Sequence, residues 1–248
     1  MKKVFQSKYK SFELEIDKFV LGFDKSGEQI KDARNKLKLF PFQEGRVNIK
    51  SFKVPNLINQ IVYRFFRKSK AQRSFEYANK LQNLGIGSPN PIAYYEFSTA
   101  FLYKRSFYVS EQLESDLTYR ELIRDFDYSG HEDILRAFTR FTYELHEKGI
   151  NFLDHSPGNT LIKKNAEGYE FYLVDLNRMK FGAMTFDDRM KNFARLTKFE
   201  PMVKTMSDEY AKCIGKSYEA VFNTMWQSTQ DFRNKIEKKK RLKKLLKF

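Results

Sequence analysis

His146–Asn177, HEKGINFLDHSPGNTLIKKNAEGYEFYLVDLN, sets two carboxylates and an amide in a fixed order. A helical stretch ends at Lys148-Gly149, a short loop presents Asp154, and Asn159 follows in a D-x-x-x-x-N pattern. The strand-forming runs Thr160–Lys163 and Tyr169–Val174 flank a turn at Asn165–Gly168, which predicts a hairpin that delivers Asp175. Moving a phosphoryl group takes a carboxylate near the acceptor hydroxyl and oxygen ligands for Mg²⁺, because catalysis there is mostly positioning and charge neutralisation. Asp154 suits the first role. Asn159 offers a neutral amide oxygen to the metal, and Asp175 a charged one. A capped or solvated loop aspartate is the plain alternative for Asp154 taken alone. What counts against it is the conjunction of helix, H-x-x-G, D-x-x-x-x-N, hairpin and apolar-Asp in one window.

This window resembles the catalytic segment of the protein-kinase-like superfamily, with Asp154, Asn159 and Asp175 at its catalytic, metal-binding Asn and metal-binding Asp positions. It departs at Phe152-Leu153, where a protein kinase has His-Arg, and at Leu176-Asn177, where Phe-Gly is usual. No A-P-E follows. The wording D-H-S-P-G-N-T-L is more specifically similar to the lipopolysaccharide kinase family, the Kdo-kinase-like enzymes of the bacterial inner core. The resemblance spans roughly residues 45 to 200, and G-I-x-x-P-x-P-I-A at residues 85–93 adds to it. It implies an α+β, two-lobed protein-kinase-like fold with a small antiparallel-sheet N-lobe (1–113) and a mainly helical C-lobe (114–232). It also implies ATP and Mg²⁺ as cofactors, and a sugar hydroxyl of a lipid A-linked core glycolipid as acceptor.

The chain is 248 residues long, 41% hydrophobic and 16% aromatic, enough for a packed core. Its one cysteine, Cys213, excludes an intramolecular disulfide and a thiolate-built zinc site. MKKVFQSKYK carries positive charges without an apolar run behind them, and no stretch approaches membrane-spanning length, so a cytoplasmic protein is expected. A net charge of +15 points to an anionic partner, either a phosphate-bearing membrane surface or nucleic acid, and disfavours a polycationic acceptor such as an aminoglycoside.

Residues 1–54 read as strands: Phe12–Ile16 alternates, Phe19–Phe23 is apolar, and Asp24–Gly27 is a turn that would suit a phosphate-covering hairpin. Gly22 and Gly27 do not form G-x-G-x-x-G, and ordinary turn glycines explain them as well. Two more strands, Asn35–Phe40 and Arg46–Phe52, surround Gln43–Gly45. Val47-Asn48-Ile49-Lys50 has the form of the V-A-I-K strand, so Lys50 is the expected phosphate-pairing lysine and Lys53 its competitor; Asn48 shares the face of Lys50. Pro55 opens an amphipathic helix with Leu57, Ile58, Ile61, Val62, Phe65 and Phe66 on one stripe. In the helix Ser74–Leu84 the resemblance implies a carboxylate partner for Lys50, with Glu76 the residue assigned; a solvated surface glutamate is the alternative. Strands Ile92–Phe97 and Phe101–Leu113 complete the lobe, and Glu111–Leu117 would be the hinge.

From His131 a helix places Ile134, Leu135, Phe138, Phe141, Thr142 and Leu145 on one face, aiming the catalytic loop. His146 reads as structural. His155 either holds the loop or touches the acceptor. Arg178 and Lys180 add positive charge, and helices are expected over 187–199, 202–213 and 218–232. Residues 233–248 carry nine Lys or Arg against one acid, Glu237, interleaved with Ile236, Leu242, Leu245, Leu246 and Phe248. That composition suits peripheral contact with an anionic membrane or a solvated tail, and the resemblance implies that the membrane is the inner membrane, met at its inner face. An atypical protein kinase, an RNA-associated kinase and a pseudokinase scaffold are the rival readings, the last weakened because Lys50, Asp154, Asn159 and Asp175 are all filled.

Overall fold

The computed structural model describes residues 1–32 and 35–246. Lys247 and Phe248, which belong to the expected tail, lie outside the described residues. The chain divides into two compact units: residues 1–114 with 175–177, and residues 115–174 with 178–248.

The first unit is built on a six-stranded antiparallel sheet. Its elements in order are β1 (Lys2–Phe5), a 3-10 turn (Ser7–Phe12), α1 (Glu13–Leu21), β2 (Glu28–Asp32), β3 (Lys36–Phe42), β4 (Gly45–Phe52), α2 (Leu57–Phe65), α3 (Lys70–Asn83), β5 (Pro91–Ser98) and β6 (Tyr103–Glu111). The strands lie in the order β1-β5-β6-β4-β3-β2. Residues 12–23 are therefore a correction: they form the 3-10 turn and helix α1, not two strands. Phe12, Ile16, Phe19, Val20 and Phe23 recur every three to four residues, so the same letters that alternate locally also make a helical stripe. Packing decides between the two periods. Ile16, Val20 and Phe23 are buried against Phe40, Val47, Ile49 and Phe107 of the sheet, with Phe12 and Phe19 partly buried beside them. The period-two partners Leu14 and Leu21 stay exposed. Glu13 and Glu15 in the first turn also complement the helix dipole. No hairpin forms at Asp24–Gly27.

Alternation in β4 sends Val47 and Ile49 into the α1 core and leaves Asn48, Lys50 and Phe52 on the other face. There Phe52 packs with Ala71 and Phe75 of α3 and with Tyr94 of β5. α3 is capped by Ser69, whose hydroxyl accepts from Gln72 N. α2, capped by Asn56, buries no residue.

The second unit contains β7 (Leu117–Thr118), α4 (Tyr119–Arg124), α5 (His131–Glu147), β8 (Ile150–Phe152), β9 (Thr160–Asn165), β10 (Gly168–Leu173), β11 (Met179–Phe181), α6 (Phe186–Phe193), α7 (Glu200–Ile214) and α8 (Tyr218–Leu245). The expected stripe of α5 is buried at Ile134, Leu135, Phe138, Thr142 and Leu145, and the first three share a core with Met206 and Tyr210 of α7 and Val221 and Met225 of α8. α8 continues without a break through Leu245, so residues 233–245 extend a folded helix. Beyond Arg233 the described residues of that extension are exposed. No helix among the described residues is long and apolar enough to cross a membrane.

Candidate active site

In the second unit two short pairings frame the loop that carries Asp154. β8 pairs with β11, Phe152 opposite Met179, and Leu153 N donates to Arg178 O at 3.0 Å. β9 and β10 form the expected hairpin, with Thr160 opposite Leu173, and Val174 N donates to Asn159 O at 3.0 Å. Pairing thus runs up to the residue before Asp175. Within the loop, Asn159 Nδ2 donates to Asp154 O at 2.8 Å, which ties the two ends together. Among the described residues no hydrogen bond reaches the Asn159 amide oxygen, which is left for another ligand.

The Asp154 carboxylate meets two guanidinium groups. Arg195 Nη2 lies 2.7 Å from Oδ1, and Arg178 Nη1 lies 3.8 Å from Oδ2. Arg178 was singled out as nearby positive charge; Arg195 was not. It follows α6 in a charge-rich run, and nothing in that run distinguishes it from a solvated arginine. Its guanidinium also lies 5.5 Å from the Phe232 ring of α8, and among the described residues its buried Nε has no hydrogen-bond partner. Arg120 of α4 reaches the same loop, close enough to Gly158 that a Cβ there would collide with Nη2. Three arginines therefore surround the Asp154–Asn159 loop.

Below the loop lies a buried polar cluster. His146 Nδ1 contacts the Tyr210 hydroxyl at 2.7 Å, and its Nε2 donates to Asn192 Oδ1 at 3.2 Å. His155 Nδ1 donates to the same oxygen at 3.1 Å, and Asn192 Nδ2 donates to Asn151 Oδ1 and Phe152 O. Both imidazoles are buried, and burial pushes His146 down to about 4 and His155 down to about 3. His155 is packed between the rings of Phe138 and Phe152. Of its two expected roles the structure shows the first, holding the loop. Asn192 went unremarked in the sequence, although a lone amide on the stripe of Met190 and Phe193 was its signal.

In the first unit Lys50 Nζ lies 2.6 Å from Asp175 Oδ1. Asn177 Nδ2 donates to the same oxygen at 2.6 Å. Among the described residues nothing bonds Oδ2, so one carboxylate oxygen is anchored and the other is open. Asp175 adopts φ 60°, the left-handed region that Asp tolerates better than most residues. Leu176, in place of the usual Phe, is buried, as is Asn177. Lys53, the competing lysine, is exposed, and its backbone N–H donates to Asn35 Oδ1. Asn48 donates to Gln112 Oε1 at 2.9 Å. The expected pairing of Glu76 with Lys50 is not formed. Glu76 accepts from Lys68 at 2.8 Å and from Gln72 at 2.9 Å, because both cation and amide are closer along its own helix and N-terminal flank.

A hard divalent cation such as Mg²⁺ takes one or two protein oxygens and completes its shell from water and substrate phosphates. The open oxygen of Asp175 in the first unit and that of Asn159 in the second, each on a side chain whose other polar atom is anchored, are separately oxygens of that chemical type.

A model of the family described as lipopolysaccharide kinase (Kdo/WaaP) matches residues 54–216, starting just after Lys50. No curated protein matches the chain by sequence. Among solved structures the chain is similar to "WaaP in complex with acyl carrier protein", with a TM-score of 0.65 at 16% identity, over 96% of this chain and 99% of that one. The antiparallel-sheet N-terminal part and helical C-terminal part match that kinase-like fold.

Proposed function

Because this chain belongs to the lipopolysaccharide kinase (Kdo/WaaP) family, we propose that it moves the γ-phosphoryl group of ATP onto a sugar hydroxyl, of Kdo or heptose, in the lipid A-linked inner core. Asp154 accepts the hydroxyl proton as the sugar oxygen bonds to phosphorus, and the bond to the β-phosphate oxygen breaks to release ADP. Lys50 neutralises the nucleotide phosphates. Asn159 and Asp175 hold Mg²⁺, which, when bound, screens the negative charge between nucleotide and acceptor. Glu76, bound to Lys68 and Gln72, is left out of this set.

The observation that carries the acceptor assignment is the pair of guanidinium groups on Asp154. With Arg195 at 2.7 Å and Arg178 at 3.8 Å, the proton acceptor is set among cations, which suits a carboxylated or phosphorylated sugar and not a polycation. The enzyme would work from the cytoplasm, peripheral to the inner membrane face, where the exposed basic end of α8 meets anionic lipid. Acyl carrier protein, present in the WaaP structure, is the first protein partner to try on this chain. Nucleic acid is the second reading of the +15 charge. The deciding experiment incubates the protein with ATP, Mg²⁺ and core-glycolipid extract and reads the mass of one added phosphate on the sugar. Phosphate on protein or RNA alone would remove the glycolipid assignment.

A further inference from the structure

α2 carries an apolar stripe as regular as that of α5, yet the fold does not cover it. Leu57 is 61% exposed, Ile58 74%, Ile61 43%, Phe65 55% and Phe66 82%. A second apolar tip stands beside it. Arg64 Nε donates at 3.2 Å to the carbonyls of Thr99 and Ala100, which fixes the β5–β6 turn against α2, and Phe101 on that turn is 74% exposed. Contiguous exposed apolar surface of this kind marks a binding face.

The charge around it says what binds. Between Glu44 and Glu76 the chain has no acidic residue; of its cations there, Arg46, Lys50 and Lys68 are already paired with carboxylates, and the others are Lys53, Arg64, Arg67, Lys70 and Arg73. At the foot of α2 a cleft of about 430 Å³ is lined by Lys53, Asn56, Asn59, Tyr63 and Lys70 among others. A second copy of the chain would bring the same cations face to face, and repulsion argues against it. An interfacial helix has the combination seen here: bulky apolar residues on one face, Arg and Lys at its margins, no carboxylate.

We infer that α2 and the Phe101 turn form the surface by which this protein enters an anionic lipid bilayer, with the helix lying in the interface and lipid phosphates met by Lys53 at the cleft. The setting is the peripheral placement proposed above; the binding itself needs no kinase reaction. It differs from the basic end of α8 in its physics. Attraction by α8 is electrostatic and is screened as salt rises, whereas apolar insertion survives screening.

The test floats the full chain with vesicles of phosphatidylcholine alone or with a quarter phosphatidylglycerol, at low and high salt. Wild type is expected on the anionic vesicles, with part of the binding persisting at high salt. Ile58→Asn with Phe66→Ser, and separately Phe101→Ser, should lower that residual binding at least tenfold with an unchanged melting temperature, since these side chains bury nothing in the fold. Lys238→Gln, Lys239→Gln, Lys240→Gln and Arg241→Gln together should remove only the salt-sensitive part. As an independent readout, Phe101→Trp in a Trp226→Phe background should shift its emission to the blue on anionic vesicles. Face variants that float like wild type overturn the inference, and if only the α8 variant loses binding, peripheral placement survives without α2. Wild type that never floats removes both. Face variants that still float but lose binding to acyl carrier protein reassign the surface to a protein partner.

Discussion

The two aspartates at the centre of the proposed chemistry are held in opposite ways. Asp154 has both oxygens engaged, one by Arg195 and the other facing Arg178, and its loop is tied by Asn159 and underlain by buried histidines. Asp175 has one oxygen fixed by Lys50 and Asn177 and the other open, on a backbone in the left-handed region. The difference matches what each role demands. A proton acceptor must stay aimed between turnovers, which a guanidinium partner does. A metal ligand must keep a lone pair available, which a half-occupied carboxylate does.

The contrast predicts unequal losses. Asp175→Ala should abolish phosphate incorporation, because it removes the one charged metal ligand and leaves Lys50 without its partner. Asp154→Ala should lower kcat by roughly 10²- to 10⁴-fold, the usual weight of a general base, with nucleotide affinity intact in a fluorescent-ATP titration. Full activity in either folded variant breaks the assigned roles, and equal loss of ATP binding in both erases the distinction. A smaller effect is expected at Arg195. Arg195→Gln should reduce kcat by on the order of tenfold through misplacement of Asp154, leave ATP affinity alone, and be partly rescued by Arg195→Lys. Unchanged kcat would show that Arg178 suffices.

The gentlest test uses pH. His146 and His155 have folded values of about 4 and about 3, below the ordinary histidine value near 6.5, so the unfolded chain binds protons in that window and the folded chain does not. Stability is then complete above about pH 6.5 and falls as pH drops towards 4, by about 1.4 kcal/mol per unit for each ring. His155→Phe, which fills the same space between Phe138 and Phe152, should roughly halve the slope of urea-derived stability between pH 6 and 5. An unaltered slope would mean that other groups set the acid sensitivity of the Asp154 loop.

Some of this was legible in the letters and some was not. The hairpin from Thr160 to Leu173 and the buried stripe of α5 follow from spacing, because each pattern has one structural solution. α1 had two. Its residues satisfy a period of two over five positions and a period near 3.6 over twelve, and only the sheet surface beneath it selects the helix. α2 and α5 teach the same lesson about burial: equally regular stripes, one inside and one out, since periodicity fixes which face is apolar and not whether anything covers it. The Lys50–Asp175 pair joins residues 125 apart and Arg195–Asp154 joins residues 41 apart (195 − 154) with no shared motif, so the first was inferred by resemblance to kinases only as a pair of roles, and the second not at all. Glu76 shows the converse. A role assigned by resemblance met a nearer lysine.

Asp175 sits where the backbone suits glycine better than any other residue. Its φ of 60° costs an L-residue about 1 to 2 kcal/mol, somewhat less for Asp, whose short polar side chain bonds locally. Asp175→Gly would discard the chemistry and relieve that strain, which offsets part of the loss of the Lys50 and Asn177 contacts, so its melting temperature should fall less than that of Asp175→Ala. Stability and catalysis therefore pull this position in different directions. Were selection on phosphoryl transfer ever relaxed in some lineage, glycine is the replacement this backbone would accept with the least strain.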